Sequence, residues 1–144
     1  MGNTNKVVRD AECTKPSSHC REVADTLARI GDKWTVMVVA ALSVGEPLRY
    51  NEINRRIDGI SQRMLTLTLK GLEQDGFVSR TMYPTIPPRV DYELTDLGMK
   101  LVVPLRALYA WAEEYRPTIM AAREEFMQRE KVEAPRRAAF TAPK

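Results

Sequence analysis

The sequence predicts a mainly α-helical domain with one small β-hairpin, an α+β arrangement in which short helices precede the hairpin and longer ones follow it. Three observations predict it. Apolar residues recur at helical spacing through most of the chain, whereas two short segments between Phe77 and Leu94 carry β-type residues around a proline-rich tip. The length of 144 residues, with 44% apolar and 28% charged, suits one hydrophobic core. No apolar run exceeds the seven residues from Val36 to Leu42, far short of the roughly 20 that a membrane helix needs. The polar start MGNTNKVVRD lacks the apolar stretch of a secretory leader. The expected setting is cytoplasmic, with no membrane partner.

Residues 1–16 are polar, without a period, and read as a flexible arm. Ser18 is placed to cap a first helix, whose apolar residues Val23, Ala24, Leu27 and Ile30 run until Gly31 stops them. Trp34 to Val44 is apolar almost all round, as a helix inside a core would be, and Gly45 and Pro47 end it. Leu48, Tyr50, Ile53 and Ile57 mark a third helix, closed by Asp58 and Gly59. Ser61 caps a fourth, which Asp75 and Gly76 terminate. Projected at about 100° per residue, that helix gathers Met64, Leu65, Thr68, Leu69 and Leu72 on one side, and Arg63, Thr66, Leu67 and Lys70 on the other.

Phe77 to Tyr83 and the alternating Val90, Tyr92 and Leu94 then form the hairpin, with Pro84 to Pro88 as its stiff tip. Thr95 caps a long helix through Tyr115, and Pro104 is expected to kink or interrupt it because it offers no N–H to the carbonyl of Lys100. A shorter helix with Ile119, Met120, Phe126 and Met127 follows Pro117. The stripe of Leu97, Leu101, Leu105, Leu108, Trp111 and Tyr115 is longer than a hairpin and three short helices can cover. A second copy of the chain is therefore expected on Leu101, Leu105, Leu108, Trp111 and Tyr115. Residues 17–130 make up the domain, and residues 131–144 are expected to be a disordered basic tail.

Short helices, a fourth with a polar outer face, and a hairpin make the order of a winged helix-turn-helix, here with extra N- and C-terminal helices. The expected partner is double-stranded DNA. Charge alone does not argue this, since the net charge of +3 equals that of the tail KVEAPRRAAFTAPK, which leaves the first 130 residues neutral. From Arg49 to Arg80 the excess is only +2. Orientation carries the argument: Arg63 and Lys70 share the outer face with Thr66. Ser61 and Gln62 would stand at the helix N-terminus, where free N–H groups favour a phosphate. Arg63 suits a bidentate contact to guanine, with Thr66 and Lys70 next along the groove. Arg55 and Arg56 would bind backbone, and Arg89, just after Pro87 and Pro88, a minor groove or its phosphates. A helix with bases outside and leucines inside is ordinarily just a solvated surface helix. What lifts this one above that reading is the hairpin that follows it. A different use of the same surface would be to bind another protein, for which exposed Leu67 speaks.

Catalysis finds no support. The glycines form no phosphate loop, and the lone histidine, His19, cannot serve as base and partner in a triad. Cys13, Cys20 and His19 are too few for a zinc site or a disulfide scaffold, so neither metal nor cofactor is expected.

The blocks GDKWT (Gly31 to Thr35), RYNEINRRIDGISQRMLTLTLKGLEQDGFVSR (Arg49 to Arg80) and YPTIPPRVDYELTDLG (Tyr83 to Gly98) resemble the HxlR-type group of MarR-like winged-helix transcription regulators, over residues 20–115. The resemblance implies a homodimer on a pseudo-palindromic operator, with the first and the long last helices as interface. It also implies a sensor of quinones, aldehydes or oxidants at Cys20, which matches the cysteine before the first helix in several relatives. Physics permits this, because a helix N-terminus with Lys15 and Arg21 nearby favours a thiolate. Cys13 could resolve an oxidised Cys20. The chain departs from the group in having Arg21 where a proline commonly follows the cysteine, and Leu67 where a polar residue is usual. An alternative inducer is a small aromatic ligand held near Trp111 and Tyr115 against the partner subunit.

Overall fold

A computed structural model describes residues 18–140. The chain falls into two units, one running to Val102 and the other starting at Val103. The first holds helices α1 (Ser18–Ile30), α2 (Lys33–Leu42), α3 (Tyr50–Arg56) and α4 (Gln62–Gln74), strands β1 (Leu48–Arg49), β2 (Val78–Tyr83) and β3 (Arg89–Leu94), and the start of α5 (Asp96–Phe140).

Helix α2 is the centre of the first unit. Asp32 starts it, its carboxylate accepting from the backbone N–H groups of Trp34 and Thr35, both at 3.2 Å. Val38, Val39 and Leu42 of α2 are buried together with Ile53 of α3, Leu65, Leu69 and Leu72 of α4, and Val78 of β2. Burying these apolar side chains is what fixes the helices against one another, at roughly 1.5–3 kcal/mol for each. Helix α1 buries none of its residues. Among its contacts is the pair between Arg29 Nη1 and Asp75 Oδ1 at 2.6 Å, with Asp75 standing as the C-cap of α4. Ser18 is the first residue of α1 rather than the cap before it, which puts Cys20 third in the helix.

The hairpin is part of a three-stranded antiparallel sheet in the order β1-β3-β2. Its arms pair from Val78 opposite Leu94 to Tyr83 opposite Arg89, and β1 adds Leu48 opposite Tyr92 and Arg49 opposite Asp91. Leu48 was expected in the third helix; it is instead a buried strand residue. The reason lies in Glu52, whose carboxylate accepts the N–H of Arg49 at 2.7 Å and so fixes the helix start at Tyr50. Thr95 caps α5 as its residue type suggests, its Oγ1 accepting from the N–H of Gly98 at 3.2 Å. Gly98 is required there, because a Cβ would collide with the carbonyl oxygen of Phe77.

Two expectations about the C-terminal region are corrected: no separate helix begins after Pro117, and residues 131–140 continue the helix where disorder was expected. Of the two outcomes expected at Pro104, interruption does not occur. Each proline removes one N–H from the ladder. Around Pro104 the deprived carbonyl belongs to exposed Lys100, where water can satisfy it. Lys131, Glu133 and Ala134 are strong helix formers, which a reading based on absent apolar period undervalues. Among the described residues, no helix is long and apolar enough to cross a membrane.

Candidate nucleic-acid interface

Helix α4 begins where Ser61, in extended backbone conformation, accepts the N–H of Met64 on its Oγ at 3.1 Å. Its inner face is held by Leu65, Thr68, Leu69 and Leu72, all buried. Thr68 stays there by donating its hydroxyl to the carbonyl of Met64 at 2.8 Å. Ser61, Gln62, Arg63, Thr66 and Lys70 are thereby turned outward and exposed, as their spacing predicts. Arg63 and Lys70 form no ion pair among the described residues. Arg55 folds back on its own helix, Nε donating to the carbonyl of Asn51 at 3.3 Å, and Arg56 is exposed.

Two residues that the sequence reading passed over organise this surface. The first is Tyr50, at the start of α3. Its hydroxyl donates to the carbonyl of Gln62 at 2.7 Å and lies 3.1 Å from Oγ1 of Thr66, clamping α3 to the first turn of α4. Its stripe position suggested burial, and only its hydroxyl hints at a second role.

The second is Asp91. Arg89 was expected to extend from the tip, but it stands at the first position of β3 with its guanidinium already engaged. Nε and Nη2 donate to the two carboxylate oxygens of Asp91 at 2.9 and 2.8 Å, and the group lies 5.4 Å from the centre of the Tyr83 ring. The hydrogen bonds from Arg89 hold the carboxyl of Asp91 below the usual carboxylate range against the opposing effect of its burial, and Arg49 adds to the lowering. The same bonds raise Arg89 further above its ordinary value. The period-two alternation of strands places residues 89 and 91 on one face, so the sequence did contain this signal.

Leu67 is 53% exposed. It lies with Ile30, Met64, Gly71 and Phe77 along an open groove between α4 and the α1 to α2 turn. Cys20 is half-buried in α1, and Cys13 lies outside the described residues. Leu101 and Leu105 of α5 are half-buried, while Leu108, Trp111 and Tyr115 are exposed. The rings of Trp111 and Tyr115 are 5.5 Å apart. No group of three or more His, Cys, Asp or Glu residues able to hold a metal occurs among the described residues.

A capped helix with a polar outer face, a preceding helix tied to its first turn, and a three-stranded wing define a winged helix-turn-helix DNA-binding domain. The chain belongs to the HxlR-like helix-turn-helix family, whose profile matches residues 29–120. It is 39% identical over 101 residues to the uncharacterized HTH-type transcriptional regulator YtfH of Escherichia coli (strain K12), covering 70% of this chain and 79% of that protein. The redox regulator HypR in its reduced form superposes with a TM-score of 0.63 at 37% identity, over 69% of this chain and 98% of its own. Diamide-treated YodB of Bacillus subtilis gives 0.58 at 31% identity, over 69% and 97%. The family and these relatives are regulators, not enzymes.

Proposed function

We propose that this transcription regulator acts as a homodimer on a pseudo-palindromic operator, with α4 in the major groove and the wing beside it. The observation that carries the reading is the outer face of α4, where Arg63 and Lys70 stand exposed and without ion-pair partners among the described residues. Ser61 and Gln62 hold a phosphate at the helix N-terminus, Arg63, Thr66 and Lys70 meet base edges, Arg55 and Arg56 meet backbone, and Arg89 meets the minor groove or its phosphates. Helix α1 and the stripe of Leu101, Leu105, Leu108, Trp111 and Tyr115 form the dimer interface. The exposure of Val23 and Leu27 on α1, and of Leu108 and Trp111 on α5, supports that assignment.

The thiol of Cys20 is the proposed switch. Support comes from the likeness to HypR and to diamide-treated YodB, and from the position of Cys20 three residues into α1. Oxidation or alkylation there changes DNA affinity if it favours one arrangement of the dimer, and thus one spacing of the two α4 helices, over another. Operators measure that spacing as one helical turn, about 34 to 36 Å, or a multiple of it.

The test is a gel shift on the DNA upstream of the protein's own gene, with and without diamide, alongside sedimentation. A dimer is expected that binds at low salt, and whose response to diamide is lost in Cys20→Ser. Monomeric protein at micromolar concentration overturns the two-half-site reading. An unchanged response in Cys20→Ser overturns the thiol switch and leaves DNA binding standing.

A further inference from the structure

We infer that Thr66 reads DNA with its methyl group and not its hydroxyl, and that the base it selects is thymine. The inference deepens the reading above and rests on α4 lying in the major groove. Its starting point is where the hydroxyl protons go. Oγ1 of Thr66 donates to the carbonyl of Gln62 at 2.8 Å, and the hydroxyl of Tyr50 reaches the same carbonyl at 2.7 Å and Oγ1 of Thr66 at 3.1 Å. The hydroxyl proton of Thr66 is thereby spent within the protein. Whether Tyr50 donates to Gln62 or to Thr66, the proton of Thr66 stays inside the protein, and its oxygen is crowded by Tyr50.

Thr66 is nevertheless exposed. With its oxygen drawn back towards α3, what it offers a base is Cγ2. The surroundings agree with an apolar contact. Helical spacing sets Arg63 and Lys70 along the middle of the outer face, with Thr66 on one side of that line and the exposed side chain of Leu67 on the other. In the major groove a threonine methyl fits the 5-methyl of thymine, the one apolar group that a base pair presents there.

The test starts from duplexes selected by the full-length protein out of a randomised library. Each thymine of the selected half-site is then replaced by deoxyuridine, which removes the methyl and leaves the hydrogen-bonding edge intact. One replacement in a single half-site is expected to weaken binding about fourfold, which is what burying a methyl group is worth, and the same replacement in both half-sites about fifteenfold. Thr66→Val, which keeps the methyl and lacks the hydroxyl, should show the same sensitivity, whereas Thr66→Ser should bind thymine and uracil duplexes alike. The measurement on the unmodified protein needs no variant to fold. Uracil tolerated at every position, or Thr66→Ser retaining the sensitivity, overturns the inference while α4 remains the reader. If Arg63→Ala and Lys70→Ala both keep the wild-type affinity and selected sequence, α4 itself is out of the groove and both readings fall.

Discussion

Arg63 on α4 and Arg89 on the wing carry the same guanidinium into opposite circumstances. Arg63 stands on a helix whose inner face is buried in the core, and its side chain forms no ion pair among the described residues. Arg89 stands on a strand whose tip has little packed beneath it, and its side chain is fixed by Asp91 and the Tyr83 ring. One site offers an exposed head on a helix buried along its inner face; the other has a preset head. An arginine without an ion pair can select the base edge that best satisfies its fork, but it loses rotamer freedom on doing so. A preset one has lost that freedom on folding and suits a contact that is the same at every sequence, such as a phosphate. This comparison assigns selectivity to α4 and sequence-independent grip to the wing.

The largest expected effect comes from removing what anchors α4 in the core. Leu65 is completely buried, so Leu65→Ala should cost about 2 to 5 kcal/mol, the range for a leucine truncated in a core. Urea unfolding at equilibrium measures it. A loss under 1 kcal/mol would mean that α4 is not anchored through this face, and the contrast with the wing would have no basis.

Next come the two arginines themselves. Arg63→Ala should cost about 1 to 3 kcal/mol at its base pair and relax the preference there, as loss of a bidentate contact does. Arg89→Ala should weaken all duplexes alike and lower the slope of log K against log[salt] by about one per contact removed. Binding titrations at several salt concentrations, on the selected duplex and on a scrambled one, separate the two. If Arg63→Ala acts equally on both duplexes, or Arg89→Ala changes base preference, the assignment of selectivity is reversed.

How much of this was legible in the sequence also divides along the same line. The inner and outer faces of α4 follow from a period of 3.6, because the residues that define them are local, and Leu65, Leu69 and Leu72 are buried as projected. Contacts between elements were not legible. The bond from Tyr50 to Gln62 and Thr66 spans turns whose geometry no periodicity encodes. The short strand at Leu48 and Arg49 exists because β3 is there to pair with it. The Arg89 to Asp91 fork is intermediate, since strand alternation puts both on one face but does not say that they meet. The length of α5 was not legible for a different reason: a proline at 117 suggests a new helix, while its neighbours, exposed to water, tolerate the missing hydrogen bond.

A smaller effect tests the cap that orients the exposed end of α4. Ser61→Ala removes the acceptor for the N–H of Met64 and should cost about 1 kcal/mol of stability. It should also weaken binding to any duplex, since the first turn positions both Gln62 and the phosphate site. A stability loss without any change in DNA affinity would show that the α4 N-terminus makes no phosphate contact.

The smallest effect concerns the device that presets the wing. Hydrogen bonds from Arg89 lower the pKa of Asp91, so in the folded protein the carboxylate gives up its charge at a pH below its unfolded value of about 3.9. A group with a depressed folded pKa adds stability that is fully present above the unfolded pKa and is lost as pH falls through the folded one. Asp91→Asn, which cannot ionise, should therefore unfold at lower urea than the parent at pH 7, and the gap should narrow as the pH is taken below about 4. The same substitution leaves Arg89 one acceptor instead of two and removes the charge that holds it. Its grip on DNA should then weaken, and Arg89→Ala should cost less in the Asp91→Asn background than in the parent. A gap in unfolding midpoint that stays constant with pH would separate the wing's stability from the ionised pair. An undiminished cost of Arg89→Ala in the Asp91→Asn background would show that the guanidinium gains nothing from being held, leaving the two arginines equivalent.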